Sequence, residues 1–188
     1  MRTLSVAAIS LEKKNTSSFL AVIVSSILIG LFANVTITLP FTPIPITTQG
    51  SVILILACCL GAKRGGAAVL CFLFQGMMGL PVFAGGAGGM LTFFGPTCGY
   101  RFGYLAAAVL VGYLTERMTL RSPMNLFFAL LSGNAVIFLF GVSCFAGFVG
   151  LKNALLLGFF PFIIGDILKL LIGIKILTKL QGLIGKYK

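Results

Sequence analysis

Asp166 and Lys169 are the residues of this 188-residue chain whose types and spacing point most directly to chemistry. Asp166 is the only acidic residue inside the long apolar stretches, and Lys169 follows it three positions later. That spacing places both side chains on one face of a helix, about one turn apart. A charge in a bilayer costs about 2.5–3.5 kcal/mol on insertion scales, so it is retained for a partner or a task. We predict a polar site for a small solute; an ion pair that only joins two helices stays an alternative.

The elements that must position this pair are membrane-spanning helices. Hydrophobic residues make up 59% of the chain and charged residues 9%, and the mean hydropathy is +1.12. Soluble domains carry about 25% charged residues, so the composition predicts an integral membrane protein. The length suffices for about six crossings of roughly 20 residues each. We therefore predict an all-α fold, in which residues 1–188 form a single bundle of six transmembrane helices.

Six apolar segments are the candidate crossings. They are Phe19–Leu39, Ile46–Ala62, Gly65–Leu80, Gly99–Tyr113, Met124–Val149 and Ala154–Leu177. Pro161 falls inside the last segment and is expected to break it, which leaves Pro161–Lys179 as its regular part. An N-terminal arm, residues 1–18, and a basic tail, residues 180–188, flank the predicted bundle.

The basic residues alternate between the two sides of this predicted bundle. Eleven of the 14 fall on one side. These eleven are Arg2, Lys13, Lys14, Lys63, Arg64, Arg117, Arg121, Lys175, Lys179, Lys186 and Lys188. By the positive-inside rule that side and both termini are cytoplasmic, in a multi-pass protein of the cell membrane. The net charge of +11 is scattered rather than clustered, so nucleic acid is not expected as a partner.

The two turns on the opposite side are long and uncharged. They cover residues 39–49 and 79–97 and are rich in Pro, Gly and Phe. Apolar loops at membrane depth are tolerated when they are buried in protein or line a cavity, so we predict that they fold inward over the bundle. Glycines between Gly85 and Gly89 would let backbone amides approach a ligand closely. A flexible connector is the alternative.

Further residues are predicted near Asp166 and Lys169, close to the external face. These candidates are Gln49, Phe83, Gly86, Tyr100, Arg101 and Ser143. Two cations and one anion leave a balance of +1, which suits a ligand with one carboxylate held by Lys169 and Arg101. Asp166 then remains to accept hydrogen bonds from N–H groups. The predicted ligand is small and amphipathic, anionic at one end and amide-like elsewhere.

Most enzyme classes are disfavoured by what the sequence lacks. There is no histidine for a Ser-His hydrolase, and three acidic residues in all provide no cluster for divalent metal. No Gly-x-x-x-x-Gly-Lys-Ser/Thr loop occurs, so the chain does not hydrolyse ATP by that route. The five cysteines have no metal-ligand spacing, and we predict neither a zinc site nor a disulfide framework. A binding protein without enzymatic activity or cofactor is the expectation.

Ser26, Gly30 and Ala33 form a narrow stripe of small residues on the first predicted crossing. Such stripes let membrane helices approach each other closely. The stripe is a candidate face for docking another subunit, and packing within the bundle is the alternative.

Ordered sequence blocks resemble the BioY family, the biotin-capturing S components of energy-coupling-factor (ECF) transporters. The blocks are Pro43-Ile-Pro-Ile-Thr-Thr-Gln49, Leu60-Gly61, Gly79-Leu-Pro-Val-Phe-Ala-Gly-Gly86 with Gly88-Gly89, Gly95-Pro-Thr-Cys-Gly-Tyr100 and Gly165-Asp-Ile-Leu-Lys169. The resemblance covers most of the chain, from about Ala33 to Lys175. It implies a six-helix protein that takes up biotin from outside, with a transmembrane coupling subunit and two ATPase subunits as partners.

The resemblance also implies roles for individual residues. In that family the acid and lysine of the last block contact the ligand, which points to Asp166 and Lys169, and an arginine after the fourth block points to Arg101. Biotin's carboxylate is then expected at Lys169 and Arg101, and its ureido N–H at Asp166. Family members often carry a polar side chain such as Asn in the loop where Gly85–Gly89 offers only backbone groups. Two other functions stay open: capture or carriage of another small carboxylated vitamin, and a small proton-coupled carrier.

Overall fold

The computed structural model describes residues 15–38, 40–118 and 122–185. The helices among them are α1 (Asn15–Ala33), α2 (Gln49–Met77), α3 (Met90–Phe93), α4 (Cys98–Arg117), α5 (Pro123–Val149), α6 (Leu151–Gly158) and α7 (Phe160–Gly185). Strands β1 (Thr36–Ile37) and β2 (Ile46–Thr47) pair antiparallel, with Thr36 opposite Thr47. A 3₁₀ turn spans Ala84–Gly86.

Helix α2 is a hairpin of two segments that meet at Gly61. Gly61 has φ +80° and ψ 176°, a conformation that residues with a Cβ rarely adopt. Beyond it the chain folds back. The close approach shows this: a Cβ built on Gly65 would lie 3.1 Å from the Cα of Ala57. Eight positions along a straight helix would separate those residues by about 12 Å. Residues 49–60 and 62–77 therefore correspond to two of the six predicted crossings.

Helix α4 packs against both segments of α2, which contact it at different levels along its length. Near the start of α2, Gly50 lies against Tyr104, whereas the Ala62 backbone packs on Gly112, two turns further along α4. The Glu116 carboxylate accepts a hydrogen bond from the Ala62 N–H at 3.0 Å. This bond satisfies a backbone donor at the start of the second segment, where no helical partner exists.

The bundle has two different ends. The loop end carries the β-hairpin, the 3₁₀ turn, α3 and α6, and the Gly61 end carries the turn of α2. The loops pack on the helices: the Thr42 hydroxyl donates to the Leu157 carbonyl at 2.8 Å, and Val82 lies against Gly30. The predicted helical bundle with inward-folded loops is thereby confirmed.

Within residues 15–38, 40–118 and 122–185, three helical stretches are long and apolar enough to cross a membrane by length and composition: Gln49–Met77, Pro123–Val149 and Leu151–Leu180. The last of these contains the predicted break at Pro161, since α6 ends at Gly158 and α7 begins at Phe160. With α2 counted as two segments, and with α1 and α4, six helices correspond to the six predicted segments. Large apolar side chains such as Leu139 and Ile164 stay exposed, as expected of a lipid-facing surface.

Parts of the predicted flanking regions lie outside the described residues. These parts are residues 1–14 of the arm, Arg121 in a turn, and residues 186–188 of the tail. Within the described residues, α1 already begins at Asn15 and α7 continues to Gly185, so both helices extend into the predicted flanks.

The small-residue stripe on α1 faces the interior of the bundle. Ser26 and Ala33 have no exposed surface, and Gly30 is buried against Val82. The Ser26 hydroxyl accepts a hydrogen bond from Gln75 Nε2 at 3.1 Å. These contacts favour the alternative, packing within the bundle, because small residues let α1 approach its neighbours closely; docking of a subunit at this stripe stays a prediction.

Candidate functional site

Helix α7 holds Asp166 and Lys169 near the loop end. Lys169 Nζ donates to Asp166 Oδ1 at 2.8 Å and to the Thr47 carbonyl of β2, also at 2.8 Å. Both side chains are about one-fifth exposed, 19% for Lys169 and 20% for Asp166. An ammonium has three N–H donors and a carboxylate has several acceptor positions, so each group can still bind a ligand.

Arg101 is a buried cation on the first turn of α4, with 7% of its surface exposed. One terminal nitrogen donates to the carbonyls of Thr92 (2.8 Å) and Phe93 (2.9 Å), which ties α3 to α4. The guanidinium also lies over the Phe83 ring, 4.4 Å from its centroid. These contacts orient the charge without neutralising it, because carbonyls and an aromatic face carry no net charge.

Tyr100 joins α4 to α6. Its hydroxyl donates to the Gly158 carbonyl at 2.7 Å, and its ring occupies the space left by Gly141 on α5. A Cβ on Gly141 would lie 2.3 Å from that ring. Glycine is thus required there by the close approach of an aromatic ring.

Gln49, the first residue of α2, is only 4% exposed. Within the described part of the chain, its side-chain nitrogen Nε2 is buried and has no hydrogen-bond partner. Buried polar groups are nearly always paired, so this unpaired donor marks Gln49 as a candidate contact for a bound molecule.

These residues surround a cavity of about 330 Å³ at the loop end. It is lined by Thr38, Thr42, Pro43, Ile44, Pro45, Thr47, Gln49, Gly50, Ser51, Phe83, Ala84, Thr92, Thr97, Tyr100, Arg101, Tyr104, Asn134, Ile137, Phe138, Phe162, Asp166 and Lys169. The lining combines segments far apart in sequence, from the β-hairpin to α7. A volume near 300 Å³ lies at the small end of ligand sites.

The cavity brings together six of the eight predicted ligand-binding residues. These are Gln49, Phe83, Tyr100, Arg101, Asp166 and Lys169. Ser143 and Gly86 do not line it, and both are exposed. Ser143 lies nine positions, or two and a half helical turns, after Asn134, so it is on the opposite face of α5. Gly86 lies at the tip of the 3₁₀ turn, and the neighbouring Ala84 contributes to the lining instead.

Tyr104 and Asn134 are among the polar residues of the lining that sequence reasoning missed. Both carried a usable signal. Tyr104 lies three positions after Arg101 and therefore on the same face of α4. Asn134 is an amide in the middle of the apolar helix α5, and a polar group at that depth indicates a partner or a site. Asn134 and Gln49 place side-chain amides in a cavity for which the glycine-rich loop offered only backbone groups.

The lining can bind an amphipathic anion. Arg101 contributes a positive charge, whereas Asp166 and Lys169 form a neutral pair that both accepts and donates hydrogen bonds. Phe83, Phe138 and other apolar side chains form the remaining wall. A molecule with one carboxylate, an apolar body and an amide-like group fits this set of contacts.

Comparisons with known proteins identify the family of the chain. The family model described as BioY family matches residues 5–186. A biotin transporter BioY from Rhizobium etli is 37% identical over 162 residues, covering 82% of this chain and 84% of the relative. A biotin transporter BioY from Thermotoga maritima is 34% identical over 149 residues, covering 78% of this chain and 86% of the relative.

A solved structure is also similar. The crystal structure of the S-component for biotin from an ECF-type ABC transporter superposes with a TM-score of 0.76 at 26% identity. The match covers 89% of this chain and 92% of the other. With the family model matched over nearly the whole length, the chain belongs to the BioY family.

Proposed function

We propose that this chain binds biotin from the external side of the cell membrane, as the substrate-specific S component of an ECF-type ABC transporter. The observation that carries the proposal is the set of charged residues that line one cavity. The lining contains the buried guanidinium of Arg101 and the ion pair of Asp166 and Lys169. The names of the relatives from Rhizobium etli and Thermotoga maritima, and of the similar crystal structure, support it.

The contacts assign the two ends of the ligand. Biotin has a carboxylate at the end of an apolar chain and a ureido group on a fused ring at the other end. Because Lys169 Nζ and Asp166 Oδ1 are 2.8 Å apart, both contact the same part of a bound molecule. We therefore assign this pair to the ureido end, in place of the sequence-based assignment of Lys169 to the carboxylate. Arg101 then binds the carboxylate.

The partners and orientation belong to the same proposal. A single six-helix domain with both termini in the cytoplasm would expose the loop end, and with it the cavity, to the outside. The chain contains no ATP-binding loop, so a transmembrane coupling subunit and two ATPase subunits would supply the energy. The chain itself is not an enzyme under this proposal.

Calorimetric titration of the detergent-solubilised protein with biotin tests ligand identity. We expect saturable binding of one biotin, and a Lys169→Ala variant that retains no ligand. Lys152→Ala is the matched control, because Lys152 is an exposed lysine at the loop end that does not line the cavity. Indifference to biotin together with binding of another carboxylated vitamin would contradict the proposal.

Uptake into vesicles tests the partners. We expect ATP-dependent biotin uptake when the chain is reconstituted with a coupling subunit and two ATPases. Uptake driven by a proton gradient in vesicles that contain only this chain would favour a proton-coupled carrier instead.

A further inference from the structure

We infer that the side-chain N–H group of Gln49 donates a hydrogen bond to the carbonyl oxygen of the ligand's ureido group. The inference rests on the proposed function and deepens it. Its starting point is the unpaired, buried Nε2 atom of Gln49 in the cavity lining. An unpaired donor is unfavourable in the empty protein and becomes favourable once a ligand supplies an acceptor.

The position of Gln49 identifies which part of the ligand it contacts. Thr47, two residues earlier, accepts the hydrogen bond from Lys169, which is paired with Asp166. We therefore place the amide of Gln49 on the same side of the cavity as the ammonium and the carboxylate, since all three residues belong to its lining. Asp166 can accept a hydrogen bond from a ligand N–H group, and Gln49 can donate one to a ligand C=O group. An acceptor beside a donor is complementary to a cyclic urea, whose N–H and C=O groups share one edge.

The Gln49 donor requires a hydrogen-bond acceptor at this position of the ligand. In 2-iminobiotin the ureido oxygen is replaced by an imino nitrogen that is protonated near neutral pH and donates hydrogen bonds. The Gln49 donor would then face another donor. Desthiobiotin keeps the ureido group and lacks the sulfur, so it isolates this contact from the rest of the ring.

Two variants test the contact by titration with biotin, desthiobiotin and 2-iminobiotin. Gln49→Met removes the donor at similar volume, and we expect about tenfold weaker binding of biotin and desthiobiotin alike. We also expect no decrease in the melting temperature of the empty protein, because no bond is lost there. Gln49→Glu supplies an acceptor, and we expect it to raise the affinity for 2-iminobiotin relative to biotin by about tenfold.

Gln75→Met is the matched control, since Gln75 bonds to Ser26 away from the cavity. It should leave the ligand preference unchanged. If Gln49→Glu had the same ratio of biotin to 2-iminobiotin affinity as the wild type, this inference would be overturned. Biotin binding by the wild type would still uphold the proposed function. Absence of biotin binding by the wild type would overturn both.

A different contact carries a second inference, independent of the ligand. The Sγ atoms of Cys98, the first residue of α4, and Cys144 on α5 are 2.7 Å apart. The helix backbones meet at the same level, because a Cβ on Gly99 would lie 2.4 Å from the Cβ of Cys144. We propose that these two thiols form a disulfide that joins α4 to α5 beside Tyr100 and Arg101.

The oxidant in this reaction is a small external disulfide such as oxidised glutathione. One cysteine thiolate attacks it, forms a mixed disulfide and releases one glutathione; the second cysteine thiolate then displaces the second glutathione. The protein loses two hydrogen atoms, and the external disulfide is reduced to two thiols. The contact lies at the loop end, which faces outward under the proposed orientation, where disulfides persist.

Intact-mass measurement after alkylation tests the bond. In a Cys58→Ala, Cys59→Ala, Cys71→Ala background, we expect glutathione disulfide to remove two hydrogens and block both remaining thiols from N-ethylmaleimide. Dithiothreitol should restore both alkylations, and a further Cys144→Ser change should abolish the mass loss. Full alkylation of Cys98 and Cys144 in unfolded protein after the oxidant treatment would overturn the proposal.

Discussion

The loop end and the Gly61 end of the bundle each hold one carboxylate, and the two are used differently. At the Gly61 end, Glu116 accepts the Ala62 N–H and fills the space beside the positive-φ turn of Gly61. At the loop end, Asp166 pairs with Lys169 beside a cavity of about 330 Å³. Both bonds have ordinary lengths, 3.0 Å and 2.8 Å, so hydrogen-bond geometry does not separate a structural carboxylate from a ligand-binding one.

What separates them is the space around each group. Around the Glu116 contact, Gly112 brings the backbones of α4 and α2 together, and a Cβ there would lie 2.4 Å from Ala62 N. Around Asp166 the neighbours are a cavity, a buried cation and an unpaired amide. One end is packed for stability and the other is left incomplete for a ligand. Variants at matched positions test this contrast.

Among the variants that compare the two ends, the largest expected effect is at Arg101. Arg101→Met should weaken biotin binding by more than about a hundredfold, because it removes a buried charge that pairs with no carboxylate among the described residues. Isothermal titration measures the change. Arg117→Met, which removes the guanidinium stacked on Tyr113 at 4.5 Å near the Gly61 end, is the control. Equal losses in both variants would contradict a role of Arg101 in the site.

The next effect is at the acidic residues themselves. Asp166→Asn should weaken biotin binding by about tenfold to a hundredfold, since a charge-assisted acceptor is lost and Lys169 loses its ion-pair partner. Glu116→Gln should lower the melting temperature and leave the affinity of the folded protein unchanged. If Glu116→Gln instead reduced affinity as much as Asp166→Asn, the contrast between the two ends would not hold.

Gly112→Ala should act on stability at the Gly61 end. The added methyl group would collide with the backbone at Ala62, and overpacking of this kind costs about 1–3 kcal/mol. Thermal unfolding in detergent measures the loss. Gly147→Ala on α5 is the matched control, because a Cβ there meets nothing within 4 Å. Equal melting temperatures for the two variants would show that the close approach is not required.

Tyr100→Phe should have an effect on stability of similar size, and it separates packing from binding at the loop end. It leaves the buried Gly158 carbonyl without its hydroxyl donor, at a cost of about 1–3 kcal/mol in unfolding free energy. Biotin affinity should change little, because the ring stays in place. A large loss of affinity with unchanged stability would instead make the hydroxyl a ligand contact.

The smallest effect is expected at Ser143. Ser143→Ala should change neither affinity nor stability measurably, since the residue is exposed and outside the cavity lining. A clear loss of biotin binding in this variant, measured by the same titration, would show that Ser143 contributes to ligand binding.

The sequence predicted the features that depend on local patterns. Hydropathy indicated six helical segments, Pro161 indicated the break before α7, and the spacing of Asp166 and Lys169 indicated one helical face. It did not show which way α1 and α5 are rotated. Ser26 therefore appeared available for docking and Ser143 available for the cavity, whereas packing turned the first inward and the second outward.

Membrane class, the number of helical segments and the ion pair were determined by the sequence, because hydropathy and helical spacing are properties of short stretches. The tertiary structure decided that Arg101 lies over Phe83 and that, among the described residues, Arg101 has no carboxylate partner and Gln49 Nε2 has no acceptor. Those features arise where segments distant in sequence meet, and their geometry follows from side-chain volumes and helix rotations across the whole bundle.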